Sequence, residues 1–246
     1  MLEARDVVRA FGGVQANNGV TISVMPGEIR GIIGPNGSGK STFCNLLSGI
    51  YPPSSGEVWF GGERIDRLSL MRRSRKGLLR TYQVPRLFAN MTVEDNLRFA
   101  YAASSLSRLR RTSAIESRKK ELLDRTGLAP KKDLLAGSLS GGQKALLQLA
   151  QCFIVPEARC YILDEPTAGI NPVIRDSIID LLREKNERDG ATFIIVSHEM
   201  YLIRKLSHSV TVLAEGKVLT EGTLDEVLAK EQVIDAYIGR RRTQNG

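Results

Sequence analysis

The apolar positions change period along the chain, and the changes mark its elements. Val20, Ile22 and Val24 alternate with polar neighbours, Pro26-Gly27 turns the chain, and Ile29 to Ile33 is a short apolar run. This is β structure, as is Glu57-Val58-Trp59-Phe60, which Gly61-Gly62 closes. From about Thr92 the period becomes helical: Thr92 with Asp95 gives a helix start, and Val93, Leu97, Ala100 and Tyr101 follow on one face. A second helix is predicted from Thr112 to Arg125, ended by Gly127 and Pro130. Buried strands then return at Cys160 to Leu163 and Phe193 to Val196, with an amphipathic helix, Val173 to Asn186, between them. Thr211 to Leu213 and Lys217 to Leu219 flank Ala214-Glu215-Gly216 as a hairpin. Thr223 and Glu226 form a capping box that starts a terminal helix, and residues 240–246 read as a mobile tail.

Strands at both ends and helices in the middle predict an α/β domain with a helical lobe inserted into it. The expected division is a core of residues 1–87 and 151–225, a lobe of residues 88–150, and a C-terminal helix and tail from 226 to 246.

Where the first buried run ends, Gly34-Pro35-Asn36-Gly37-Ser38-Gly39-Lys40-Ser41-Thr42 spells the phosphate-binding loop G-x-x-x-x-G-K-[ST] in full. Glycines let successive N–H groups turn inward on phosphate oxygens, and the helix continuing through Phe43 to Leu47 adds its positive end. Lys40 is expected to reach the terminal phosphates and Ser41 to place a hydroxyl on Mg2+. Asp164 and Glu165 follow the strand ending at Leu163, where ligands bind in open α/β sheets. The expectation is that Asp164 holds the metal through water and that Glu165 is the general base toward the γ-phosphate. His198, after the strand ending at Val196, is a candidate γ-phosphate contact, and Gln83 a candidate ligand for metal and water.

A second motif is Leu139-Ser140-Gly141-Gly142-Gln143, followed by an apolar helix. Ser140 and Gln143 make a capping box, a common helix start. The two glycines between them bare the first-turn N–H groups, which makes a second anion-binding helix end. Two phosphate-binding elements with one set of acids predict a head-to-tail dimer, each chain supplying its Ser140 loop to the other's nucleotide.

Composition narrows the setting. The chain has 246 residues, 42% of them hydrophobic, enough for one sizeable core. The N-terminus lacks the apolar stretch of a secretory signal and no run is long enough to span a membrane, so a soluble cytoplasmic protein is expected. Cys44, Cys152 and Cys160 stand singly in apolar segments and read as core residues. The net charge of +8 favours anionic partners. Its excess gathers at Arg64, Arg67, Arg72, Arg73, Arg75, Lys76 and Arg80, and at Arg108, Arg110, Arg111, Arg118, Lys119 and Lys120, either as a solvated basic face or as a docking surface.

Taken together, GPNGSGKST, the Gln83 loop, LSGGQ, Tyr161-Ile162-Leu163-Asp164-Glu165-Pro166 and His198 occur in the order of the ATP-binding subunits of ABC transporters, which the chain resembles over nearly its whole length. The resemblance implies a P-loop NTPase core of RecA type with a mixed sheet and an antiparallel β portion at its N-terminus. It also implies ATP hydrolysis coupled to transport. Thr167-Ala168-Gly169-Ile170-Asn171-Pro172 fits the family's dimer-interface loop, and Phe11 occupies the place of its adenine-stacking aromatic residue.

Three features resemble the branched-chain amino acid uptake members, with urea and polar amino acid types as near relatives. They are Phe11-Gly12-Gly13, Arg80-Thr81-Tyr82-Gln83 with Arg86-Leu87-Phe88, and Val233-Ile234-Asp235-Ala236-Tyr237-Ile238-Gly239. Implied partners are ATP, two membrane permeases and a second ATPase subunit, with the chain lying on the inner face of the membrane. Lys144-Ala145-Leu146-Leu147-Gln148 departs from the family's arginine-rich run, and Pro85 stiffens the segment Gln83 to Asn90, the expected coupling surface. The alternative is a non-transport ABC ATPase acting on nucleic acid, but the coiled coils, zinc motifs and tandem cassettes typical of those chains are not seen, so nucleic acid is not expected as a partner.

Overall fold

A computed structural model of the chain describes residues 2–104 and 113–243. Strands β1 (Leu2–Phe11), β2 (Val14–Val24), β4 (Ser55–Phe60) and β5 (Glu63–Arg64) form an antiparallel sheet in the order β2-β1-β4-β5. The second sheet runs β10-β9-β3-β8-β7-β6, from β3 (Ile29–Ile33), β6 (Leu78–Arg80), β7 (Cys160–Asp164), β8 (Thr192–Val196), β9 (Ser209–Ala214) and β10 (Lys217–Gly222). All pairs in it are parallel except β9 with β10.

Every residue of β3, β7 and β8 is buried, because both faces of the sheet are covered. The pleat divides these strands between two cores. Ile32, Cys160, Ile162, Ile194 and Val196 pack with the antiparallel sheet and helix α1 (Lys40–Ser48). Ile29, Ile33, Tyr161, Leu163, Phe193 and Ile195 pack with the helices on the other face.

Those helices include α3 (Val93–Ser104), α4 (Ser113–Arg125) and α5 (Gly141–Phe153), which pack on one another, and α6 (Pro172–Asp189), which receives α5. Lys119 of α4 is buried between Glu94 and Glu116, so α3 and α4 are joined by a charged contact as well as by apolar surface. Asn171 caps α6 by accepting from the Ile174 N–H at 3.0 Å, Pro172 opens it, and Gly190 closes it in the left-handed region. Shorter helices are α2 (Leu70–Arg75), α7 (Met200–Leu206) and α8 (Leu224–Leu228), and α9 (Glu231–Thr243) follows.

Three expectations are corrected. The terminal helix is two helices, α8 and α9, with Ala229 and Lys230 between them; the bend lets Val227 and Val233 both enter the core. Residues 240–243, expected as a mobile tail, continue α9, while 244–246 lie outside the described residues. The basic stretch from Arg64 to Arg80 is not one surface: Arg73 and Arg80 are interior, Arg64 pairs with Glu57 and Asp66, and Lys76 pairs with Glu63. In the second cluster Lys119 is buried and Arg118 donates to the Phe153 carbonyl at 2.8 Å, while Arg108, Arg110 and Arg111 lie outside the described residues. All three cysteines are buried and burial pushes their thiols up, to about 12 for Cys152 and Cys160.

Candidate functional site

The loop from Gly34 to Gly39 leaves β3 and enters α1 under pressure from two neighbouring elements. A Cβ on Gly34, whose φ is 150°, would lie 2.0 Å from the Leu213 carbonyl oxygen of β9. One on Gly39, at φ 98°, would lie 2.3 Å from the Ala16 carbonyl oxygen of β2. Both sheets therefore close on the loop, and only glycine fits at these positions. Asn17, fully buried, donates to the Gly39 carbonyl at 3.3 Å, and the Gly216 N–H donates to the Ser38 carbonyl at 3.1 Å.

No side chain caps α1, since its N-cap is Gly39. The helix's own ladder opens with the Phe43 N–H on the Gly39 carbonyl at 2.8 Å, so the N–H groups of Ser41 and Thr42 lie in the first turn, ahead of it. Lys40 folds over the loop, its Nζ donating to the carbonyls of Gly34 at 2.8 Å and Pro35 at 2.9 Å. Asn36 and Gly37 are exposed at the rim.

Asp164 ends β7. Its Oδ2 accepts from Arg80 Nη2 at 2.9 Å, and Arg80, at the end of neighbouring β6, also donates to Asn45 and to Ser48 Oγ at 3.1 Å on α1. The buried guanidinium thus ties the phosphate-loop helix to the acid. Burial raises the Asp164 carboxyl above its ordinary value, and Arg80 opposes that rise.

Glu165 takes a left-handed backbone at φ 49°, held by its N–H on the Val196 carbonyl at 2.8 Å. A non-glycine residue there costs about 1–3 kcal/mol, so the surrounding contacts fix it. Its Oε1 meets His198 Nδ1 at 2.8 Å and its Oε2 accepts from Ser197 Oγ at 3.1 Å. The Glu165 side chain is mostly buried while the histidine ring stands largely in solvent. Adjacent parallel strands thereby bring Lys40, Asp164, Glu165 and His198 to one edge.

Gln83 is exposed and lines a cleft of about 120 Å³ with Glu165, Gly141, Ala145 and Gln148. Ser140 and Gln143 complete their capping box: Ser140 Oγ accepts from the Gln143 N–H at 3.4 Å, and Gln143 Oε1 from the Ser140 N–H at 3.1 Å. The box leaves the Gly141 and Gly142 N–H groups outside it, and Gly142 packs so closely on α6 that a Cβ would stand 2.8 Å from Ile174 Cδ1. Thr167 of the following loop donates to Glu199 at 2.6 Å.

Phe11, 41% exposed at the end of β1, is not an isolated ring. Arg9 stands 4.6 Å over it and Tyr51 packs edge-on at 5.4 Å. Sequence reasoning missed Arg9 and Tyr51 here, and also Asn17, Ser197 and Arg80 as a partner of Asp164. Ser197 and Arg80 adjoin motif residues; Asn17 carries no local signal.

Residues 17–168 match the ABC transporter family. The chain is 34% identical over 252 residues to the probable branched-chain amino acid transport ATP-binding protein LivG of Archaeoglobus fulgidus, covering 99% of this chain and 97% of that one. It is 36% identical over 221 residues to the methionine import ATP-binding protein MetN 2 of Bacillus licheniformis, covering 89% of this chain and 63% of that one. Among solved structures, an ATP-binding cassette of an ABC transporter in its ADP conformation superposes with a TM-score of 0.86 at 30% identity, covering 97% of this chain and 98% of that one. A cassette dimer in a post-hydrolysis state with ADP and phosphate superposes with a TM-score of 0.81 at 25% identity, covering 91% and 99%. With a phosphate loop, paired acids and a histidine on one sheet edge and a family match over more than half its length, the chain belongs to the ABC transporter family as an ATP-binding, ATP-hydrolysing cassette.

Proposed function

We propose that this chain energises uptake of branched-chain amino acids, or of similar small polar solutes, through partner permeases. The observation that carries the chemistry is the convergence of Lys40, Asp164, Glu165 and His198 at the carboxyl ends of β3, β7 and β8. Likeness to LivG over nearly the full length supports branched-chain substrates, and likeness to a methionine importer keeps the wider solute class in view.

In this reading the phosphates of ATP rest on the first-turn N–H groups of α1, and Lys40 exchanges the Gly34 and Pro35 carbonyls for phosphate oxygens. Phe11 supplies a face for adenine. The Ser41 hydroxyl, the Gln83 amide oxygen and, through water, Asp164 are hard oxygen donors of the kind Mg2+ takes. Arg80 engages only Oδ2 of Asp164, consistent with Oδ1 serving a metal-bound water. Bound there, the ion would neutralise charge on the terminal phosphates. Glu165 takes the proton of the attacking water, and His198 and Ser197 hold its carboxylate in line.

Ser140 to Gln143 serve the nucleotide of a second chain in a head-to-tail dimer, a reading that the dimeric cassette supports. The permeases meet the segment Gln83 to Asn90 and the helical lobe of residues 88–150, whose inner helix faces share one core with β3, β7 and β8 of the division 1–87 and 151–225 and with the element at 226–246. Val84, 78% exposed, and Phe88, Phe99, Leu134 and Leu135, all exposed, give this side the apolar character that a membrane partner's helix requires. No described helix is long and apolar enough to cross a membrane, and the chain acts at the inner face through its permeases.

Reconstitution with the permeases in liposomes tests the reading: ATP hydrolysis rises with the permeases and leucine is taken up. Glu165→Gln should retain ATP binding and lose turnover by about 100-fold or more, the scale of a general base. Hydrolysis stimulated by DNA and indifferent to permease would overturn the transport assignment.

A further inference from the structure

Helix α5 buries an amide where its neighbours are apolar. Gln148 is 7% exposed, between Leu147 and Leu149, and an amide left unpaired there would cost about 1–3 kcal/mol. Its partners lie on the segment around Gln83. Oε1 accepts from the N–H of Tyr82 at 3.1 Å and of Arg86 at 3.4 Å, and Nε2 donates to the Tyr82 carbonyl at 3.0 Å. One side chain thus engages both backbone groups of Tyr82, as a neighbouring strand would. Only Gln83, Val84 and Pro85 stand between the two anchors.

One turn along α5, Gln151 Nε2 donates to Asn96 Oδ1 at 3.1 Å. Asn96, fully buried, in turn pairs with the N–H and the carbonyl of Phe88, each at 3.0 Å. The segment from Tyr82 to Phe88 is therefore tied to α5, directly at Tyr82 and Arg86 and through Asn96 of α3 at Phe88. On that helix Gly141, Ala145 and Gln148 recur at helical spacing and line the cleft shared with Gln83 and Glu165.

We propose that Gln148 is a positioning residue for ATP hydrolysis: it clamps the backbone on both sides of Gln83 to α5, so Gln83 reaches the nucleotide only as α5 moves with it. An amide suits this place because it donates and accepts at once. A carboxylate would accept both N–H groups but set its charge against the Tyr82 carbonyl, and a thioether would fill the space and leave all three backbone groups unpaired. The inference rests on the reading of Gln83 as a residue of the reaction.

The test uses the full chain with Gln148→Met, Gln148→Glu and Gln83→Ala. It reads amide hydrogen exchange at Tyr82 and Arg86, affinity for a fluorescent ATP analogue, and kcat at saturating ATP. Gln148→Met should speed exchange at both amides by about tenfold, the scale of one lost buried hydrogen bond. It should lower kcat by a similar factor and leave analogue affinity within about twofold, because the phosphate loop is untouched. Gln148→Glu should fall between it and the parent, and it carries the same readouts if Gln148→Met does not fold. Gln83→Ala should lower kcat with exchange at Tyr82 unchanged. Parent-like exchange in Gln148→Met would show that no clamp exists, and faster exchange with parent-like kcat would reduce Gln148 to a packing residue; either overturns the proposal. Parent-like kcat in Gln83→Ala would instead remove the reading of Gln83, and the positioning role would fall with it.

Discussion

Single residues in this chain carry contacts that their type would not predict. Arg73 sits in what looks like a basic surface stretch, yet it is fully buried. Its guanidinium donates to the carbonyls of Leu46 and Leu47 at 2.7 Å, Leu68 at 3.0 Å and Asp66 at 3.1 Å. Leu46 and Leu47 belong to the last turn of α1, so the cation completes the phosphate-loop helix at its negative end. Burial pulls the guanidinium down to about 10, with Asp66 working the other way, so it stays charged at neutral pH. Arg73→Met fills much of the same space but strips the guanidinium from four carbonyls, of which Leu46 keeps the Gly49 N–H. It should lower stability by about 3 kcal/mol, read as a shift in urea midpoint with unchanged slope.

At the scale of elements, the central strands are joined by side chains as well as by their ladders. Glu28, just before β3, accepts from Ser209 Oγ of β9 at 2.5 Å, from the Met25 N–H at 2.8 Å and from Arg30 Nε at 2.7 Å. Burial resists the ionised carboxylate, but these donors outweigh it and hold Glu28 below the usual carboxylate range. A depressed acid stabilises the fold above its unfolded value, about 4.3, and loses that contribution as pH falls through the folded value. Glu28→Gln should therefore be less stable than the parent at pH 7, with the gap in urea midpoint narrowing as pH drops below about 4. A gap that holds constant with pH would rule out the carboxylate as its source. The same scale accounts for β6: three residues suffice, because Arg80 at its end is fixed by Asp164 and α1.

For the whole molecule, the proposed reading has the helix starts at Ser140 and at the loop from Gly34 each present N–H groups to an anion, while the acids serve one nucleotide. The proposed head-to-tail pair resolves that imbalance. Glu165→Gln with ATP should elute at twice the monomer mass in sizing chromatography and return to monomer when ATP is removed. Elution that ignores ATP would sink the association.

Much of this molecule is local and was legible as sequence. β3, β7 and β8 are mostly apolar because both faces of the sheet are covered, and the phosphate loop announces itself through its motif of closely spaced glycines, although the contacts that require Gly34 and Gly39 come from distant strands. The capping boxes at Ser140 and Thr223 are three-residue relations and form as expected. What periodicity could not supply is non-local. Burial of Arg73 and Arg80 depends on carbonyls and a carboxylate far along the chain, and the clamp from Gln148 spans 66 residues to Tyr82. The break between α8 and α9 answers to the core that receives Val227 and Val233. Sequence by itself determined the buried strands, the capping boxes and the motif residues at their ends, since these follow from neighbouring residues. Only the tertiary structure decided which charged and amide groups are interior, because a buried polar group is tolerable only where distant partners meet it.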